Sequence, residues 1–188
     1  VRYALLSGAI VVAASGNDGL QKKMYPAAYD DAIAVGASDR WDQRASFSNW
    51  GDHLDLVAPG VSITTTTRGG GTWQFFAGTS AATPHVAGIC ALVLAVRPTT
   101  NLADMRQFLR RAADDIGDPG YDIFTGAGRA NAYVTLLAAL DPTPPTVPVV
   151  TDSGSYTGNP NQLSLQWNPS SDPELGIEGY EFGVVTSG

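Results

Sequence analysis

The sequence predicts an α/β domain whose parallel sheet is covered on both faces, followed by a proline-rich linker and an incomplete β-module. Three observations carry that prediction. Short, almost wholly apolar runs recur before turn signals, as in buried parallel strands. One long segment, Thr79 to Val96, reads as a helix with no polar stripe. At Asp141 the composition changes abruptly and the hydrophobic period drops to two.

Taken in order, residues 1–8 read as the end of a helix closed by Gly8. The opening Val1-Arg2-Tyr3-Ala4-Leu5-Leu6 has neither an initiating Met nor a capping residue, so the chain is expected to begin inside a larger protein. Ala9 to Ala14 forms the first apolar run. Ser15-Gly16-Asn17-Asp18-Gly19 is a turn-rich loop. Ala32 to Gly36 and Leu54 to Val57 are the second and third runs, and Ala58-Pro59-Gly60 breaks the chain. Val61 to Thr67 and Thr72 to Phe76 are β-branched or aromatic and flank Gly69-Gly70-Gly71, which predicts a hairpin. The long helix stops at Arg97-Pro98; because Val86 to Val96 is apolar on every face, it is expected in the middle of the domain. Further helices are expected over 102–113 and 131–140, the latter entered through Gly126-Ala127-Gly128. Strands alternating with helices give the α/β class over 1–140.

The linker, 141–149, holds four prolines between Asp141 and Pro148 and reads as stiff and extended. Beyond it, Leu163, Leu165 and Trp167 alternate with polar residues, as do Tyr180, Phe182 and Val184. Residues 150–188 therefore read as the start of a β-sandwich-like module of the fibronectin III kind, cut off well short of the ~100 residues of a complete one. Such a module suits contact with a cell surface or polysaccharide.

Charge narrows the function. The 188 residues carry 11 basic and 18 acidic side chains, a net −7. Nucleic acid is an unsuitable partner for such a surface. Arg106, Arg110 and Arg111 cluster, but Asp104, Asp114 and Asp115 flank them, so they read as a solvated helix face. No apolar run is expected to serve as a membrane span. The single cysteine, Cys90, sits in the apolar helix and reads as a buried structural thiol.

The chemistry concentrates in Gly78-Thr79-Ser80-Ala81-Ala82-Thr83-Pro84-His85-Val86-Ala87-Gly88. A serine at the start of a buried helix has free amide donors and a partial positive charge beside it. Both suit an oxyanion formed when the serine attacks a carbonyl. Alone, the feature reads first as an N-cap supplied by Thr79 or Ser80. Position 82 is Ala, so the string is not a Gly-x-Ser-x-Gly elbow, which argues against a lipase or esterase. Gly126-Ala127-Gly128 lacks the third glycine of a dinucleotide fingerprint and reads as a tight turn.

The whole eleven-residue string resembles the nucleophile motif of the subtilisin family. Ala14-Ser15-Gly16-Asn17, Arg44-Ala45-Ser46-Phe47-Ser48, Ala58-Pro59-Gly60 and Gly126-Ala127-Gly128-Arg129-Ala130-Asn131-Ala132 are similar to further landmarks in the family's order. The resemblance covers about residues 1–140 and corresponds to the C-terminal half of a subtilisin-type catalytic domain. It implies a secreted or cell-surface serine endopeptidase acting on polypeptides. It also implies Ser80 as nucleophile, Asn17 as oxyanion donor, and Ala14, Ser15 and Gly16 as a wall of the substrate pocket, with Met24 near its floor and a preference for apolar side chains. Lys22 and Lys23 read as solvated loop charges.

The family order is Asp, His, Ser, and neither histidine here matches the base. His85 lies five residues past Ser80, about 140° around the helix, and is expected to pack or hydrogen-bond within the core; His53 is expected to be a surface imidazole. The acid and base are therefore expected before Val1, and the 188-residue chain alone is expected to be inactive. No cofactor is needed for the chemistry. The resemblance further implies a cis Tyr25–Pro26 bond and a weak structural calcium site formed by the carbonyls of Ala27, Tyr29 and Ala32 with the Asp55 carboxylate. The rival function is a non-catalytic pseudoprotease or matrix-binding protein that has kept Ser80 without its base.

Overall fold

A computed structural model describes residues 1–140 and two short segments, Val150–Asp152 and Leu165–Trp167. The chain divides into two units, Val1–Leu140 and Asp141–Gly188.

The first unit is built on a three-stranded parallel sheet in the order β1 (Val12–Ala14), β2 (Ile33–Ser38), β3 (Leu56–Pro59). β1 pairs Val12 with Ile33 and Ala14 with Val35; β2 pairs Val35 with Leu56 and Ser38 with Pro59. All six β2 residues are buried, which is why that run shows no polar alternation. A short helix, α1 (Arg2–Leu6), precedes the sheet. The strands begin one to three residues later than the apolar runs suggest, and β2 and β3 also end two residues later, because Ala9 to Val11 and Leu54–Asp55 lead into the strands, with Val11 O and the Asp55 N–H already bonded to Ile33 and Ala34 of β2.

Three helices follow: α2 (Thr79–Val96), α3 (Leu102–Arg111) and α4 (Ala132–Leu140). Ile33, Val35 and Ala37 face them, and share one core with Leu56, Val86, Val93, Met105 and Leu109. Ala34, alternating with these, packs instead with Ala13 and with Ala27 of the following loop. Among the described residues, then, helices cover one face of the sheet and loops the other, a narrower version of the two-sided covering expected from sequence.

Local chemistry fixes the helix starts. Asn101 caps α3 by accepting from the Asp104 N–H at 2.9 Å. Asn131 does the same for α4, accepting from the Val134 N–H at 3.1 Å while its amide donates to Asp114. Gly78 precedes α2 at φ 146°, a backbone that disfavours a Cβ. Gly126 and Gly128 also have positive φ, and a Cβ at either would collide with the backbone of Asp55 or Asp114. The expected tight turn is thus a close crossing of three chain segments.

Two expectations fail here for tertiary reasons. α2 buries one face only: Leu92 and Val96 remain 51% and 46% exposed, because among the described residues nothing packs on that flank. Arg106 and Arg110 are not a solvated face. Arg110 Nε donates to Asp55 Oδ1 at 3.0 Å, and Arg106 Nε lies 2.9 Å from the same oxygen, an ion pair off the hydrogen-bond line. Asp55 is 2% exposed, and its other oxygen accepts from the Ala34 N–H at 2.8 Å.

The remaining elements are a hairpin, β4 (Ile63–Thr66) with β5 (Thr72–Phe76), and, in the second unit, an antiparallel pair of β6 (Val150–Asp152) and β7 (Leu165–Trp167). Beyond that pair, the expected linker and sandwich module lie outside the described residues.

Candidate active site

β1 delivers the chain to Asn17, and the N-terminus of α2 delivers Ser80 to the same place. Asn17 Oδ1 accepts from the Thr79 N–H at 2.8 Å and from the Thr79 hydroxyl at 2.9 Å. Both bonds fix the orientation of the side-chain amide and leave Asn17 Nδ2 beside Gly78, at the start of the helix. The Thr79 hydroxyl in turn accepts from the Gly16 N–H at 3.3 Å. Loop and helix, 62 residues apart in sequence, are thereby tied together.

Asn17 Nδ2 and the Ser80 N–H have no acceptor among the described residues. They lie 3.6 and 3.7 Å from the single point that a Gly78 Cβ would occupy, so they are no more than about 7 Å apart. Asn17 and Ser80 are both exposed. Two free donors facing one open space, at the positive end of an 18-residue helix, make a receptor for a developing negative oxygen.

Ala14, Ser15 and Gly16, expected as a wall of the substrate pocket, lead directly from β1 to Asn17. The Ser15 N–H donates to Val35 O at 2.9 Å and its hydroxyl to Asn49 O at 3.1 Å. Gly16, at φ 104°, has no room for a side chain: a Cβ would strike the Asn49 amide and sit 2.9 Å from Met24 Cγ. Met24 thus packs directly on Gly16. Lys22 and Lys23 do not float free; they pair with Asp18 and Asp52 at 2.9 and 3.0 Å.

Sequence reasoning missed two residues that hold the loop. Thr79 reads as a candidate cap but clamps Asn17 instead. Asn49 is fully buried and accepts from the Asp18 and Leu20 N–H groups at 2.9 and 3.3 Å. Its only sequence signal is a polar residue at the end of Arg44-Ala45-Ser46-Phe47-Ser48.

Neither imidazole hydrogen-bonds Ser80. His85 Nδ1 lies 2.9 Å from the Ala81 carbonyl, which makes it the donor; the ring bonds to the helix backbone as expected but is exposed rather than in the core. His53 is not a surface residue. Its side chain is 6% exposed and both ring nitrogens lack a hydrogen-bond partner. The tight turn at Gly51 folds the ring inward, and Asp52 is too distant, at 3.8 Å, for a hydrogen bond. Burial lowers the His53 pKa below its ordinary 6.5, offset in part by Asp52. The folded chain therefore takes up this proton less readily than the unfolded chain, so stability present above about pH 6.5 is lost as pH falls through the folded value. Unfolding curves at pH 7.5, 6.5 and 5.5 should show that loss, and His53→Leu should flatten it. Parallel curves for the two proteins would show that His53 does not contribute to it.

The cation site meets an obstacle. Arg106 donates to the carbonyls of Asp30 and Ala32, and Arg106 and Arg110 occupy the Asp55 carboxylate. A guanidinium already stands at two of the four expected ligands, and no cluster of three acidic, His or Cys side chains suited to a metal occurs among the described residues. Tyr25–Pro26 is cis. Cys90 is buried, and burial pushes its thiol up to about 12, which makes it inert at neutral pH.

A model described as the Subtilase family matches residues 1–128. The chain is 45% identical over 133 residues to the Thermophilic serine proteinase of Bacillus sp. (strain AK1), covering 71% of this chain and 32% of that protein. It is 45% identical over 132 residues to Subtilisin Savinase of Lederbergia lenta, covering 70% of this chain and 48% of that protein. With Subtilisin amylosacchariticus of Bacillus subtilis subsp. amylosacchariticus it shares 48% over 125 residues, covering 64% and 32%. The chain thus spans between about a third and a half of the length of these relatives.

Proposed function

The chain belongs to the subtilase family, and from that premise we propose that it supplies the nucleophile and oxyanion site of a serine endopeptidase. The observation that carries the reading is the pair of unengaged donors, Asn17 Nδ2 and the Ser80 N–H, facing one space beside Ser80. Ser80 Oγ attacks the scissile carbonyl carbon and forms the acyl bond. Its proton passes to a base outside the 188 residues and from there to the departing amine. The carbonyl oxygen, negative in the tetrahedral intermediate, accepts from the two donors. Water then attacks the acyl carbon, and Ser80 Oγ recovers a proton as the ester breaks.

Ala14, Ser15 and Gly16 line the substrate approach, and Met24 against Gly16 favours an apolar substrate side chain. The reading carries with it a polypeptide substrate and an extracellular setting, both implied by the family.

The test is active-site labelling. The 188-residue chain alone, treated with a fluorophosphonate, should remain unlabelled, since a serine without its base is a weak nucleophile. Joined to the upstream portion of Subtilisin Savinase that the alignment leaves uncovered, it should be labelled at Ser80, and Ser80→Ala should abolish the label. Labelling of the chain alone would mean that an imidazole within it serves Ser80. A well-folded joined chain that stays unlabelled would favour the non-catalytic reading.

A further inference from the structure

A second recess opens at the carboxyl edge of the same sheet. It measures about 440 Å³ and is lined by Arg40, Trp41, Arg44 and Phe47, after β2, and by Val61, after β3. That volume lies in the range of ligand-binding clefts. The backbone joins it to the candidate active site: the Gly60 N–H donates to Ser38 O and the Gly78 N–H to Gly60 O, each at 2.9 Å. Asp39, Val61 and Thr79 are the immediate neighbours of those three residues. Backbone segments bonded in this way lie ~4.8 Å apart, so two such steps are a length that about three extended residues of a peptide span at ~3.3 Å each.

The charges around the recess are spoken for, with one exception. Asp39 Oδ1 accepts from the Trp41 and Gln43 N–H groups at 2.9 and 3.0 Å. Asp42 pairs with Arg129. Arg44 donates to the carbonyls of Ala45 and Ser48. Arg40 pairs with no carboxylate among the described residues. Its guanidinium lies instead 4.7 Å over the ring of Trp41, which is 68% exposed. A chain of net charge −7 thus presents an uncommitted cation on an aromatic ledge, beside the apolar side chains of Phe47 and Val61. The ledge suits an apolar side chain, and the cation a carboxylate next to it.

Resting on the endopeptidase reading, we propose that this recess is a subsite for the polypeptide substrate, taking an apolar side chain against Trp41 and Phe47 and an adjacent carboxylate on Arg40. The subsite selects acidic-apolar segments and disfavours basic ones.

Peptide binding tests this without catalysis. The 188-residue chain carrying Ser80→Ala is titrated, by fluorescence polarisation at low salt, against labelled hexapeptides that differ only in Phe-Glu or Phe-Lys at the centre. The Glu peptide should bind about fivefold tighter, the scale of one exposed charge pair. Arg40→Gln should erase the preference, Arg40→Lys keep most of it, and Arg40→Glu reverse it. Trp41→Ala should weaken both peptides. Arg40 and Trp41 lie on the surface, and circular dichroism checks that each variant folds. Equal affinity for the two peptides, a preference untouched by Arg40→Glu, or no binding of either up to about 1 mM overturns the proposal. Because Ser80 is absent from the assay, a failed labelling experiment would leave this result standing, and the reverse holds.

Discussion

Asn17→Asp should cut kcat of the joined chain by about 10²–10³-fold while KM stays within about threefold. That size belongs to the equivalent donor of subtilisin itself and is carried over to Asn17 from that enzyme. The substitution isolates the donor. Aspartate keeps an oxygen for the Thr79 N–H and hydroxyl, so the tie between loop and helix survives. It replaces Asn17 Nδ2 with a second oxygen, which repels the oxyanion. Asn17→Ala should lose as much activity and also about 1 kcal/mol of stability, since the Thr79 donors go unmatched. An Asn17→Asp enzyme retaining a third or more of its kcat would remove Asn17 from the oxyanion site.

The second large effect is on folding. Asp55→Ala in the 188-residue chain should destabilise the first unit by about 3 kcal/mol, near the low end for breaking a buried ion pair. The low end applies because Arg106 and Arg110 are partly exposed and can rehydrate. The Ala34 N–H, inside the sheet, cannot. Asp55→Asn keeps an acceptor for that N–H and should lose about half as much. Urea unfolding followed by tryptophan fluorescence measures both, with a midpoint shift of about 2 M for Asp55→Ala. A loss below about 1 kcal/mol would mean that this carboxylate does not anchor α3 to the sheet.

The sequence is readable where a residue's neighbours in the chain decide its state. α2 runs from Thr79 to Val96 because Gly78 opens it and Arg97-Pro98 closes it. The three apolar runs become the three strands because their patterns need no partner to be recognised. The hairpin is announced by Gly69-Gly70-Gly71. The errors fall where distant residues decide. His53 looks like any polar turn residue until the Gly51 turn folds it inward. Arg106 and Arg110 look solvated until Asp55, some fifty residues earlier, is placed under them. The exposed flank of α2 has the same origin, since composition reports that a face is apolar but not whether anything covers it. In the candidate site, Ser80, Asn17 and Gly16 come from the resemblance. The clamp by Thr79 and the buried Asn49 come only from the fold, because a hydrogen bond across 62 residues leaves no local pattern.

The β4–β5 hairpin has a colloidal consequence. β5, Thr72–Phe76, is exposed along its whole length and reads Thr-Trp-Gln-Phe-Phe, with no charged residue. Among the described residues it pairs only with β4, so its outer edge presents unmatched amides and carbonyls. An uncharged, aromatic edge without proline is a template for strand addition by another chain. The net charge of −7 works against such encounters at long range, and salt screens it. The hairpin beside Ser80 is thus the part of the surface where concentration and ionic strength govern self-association.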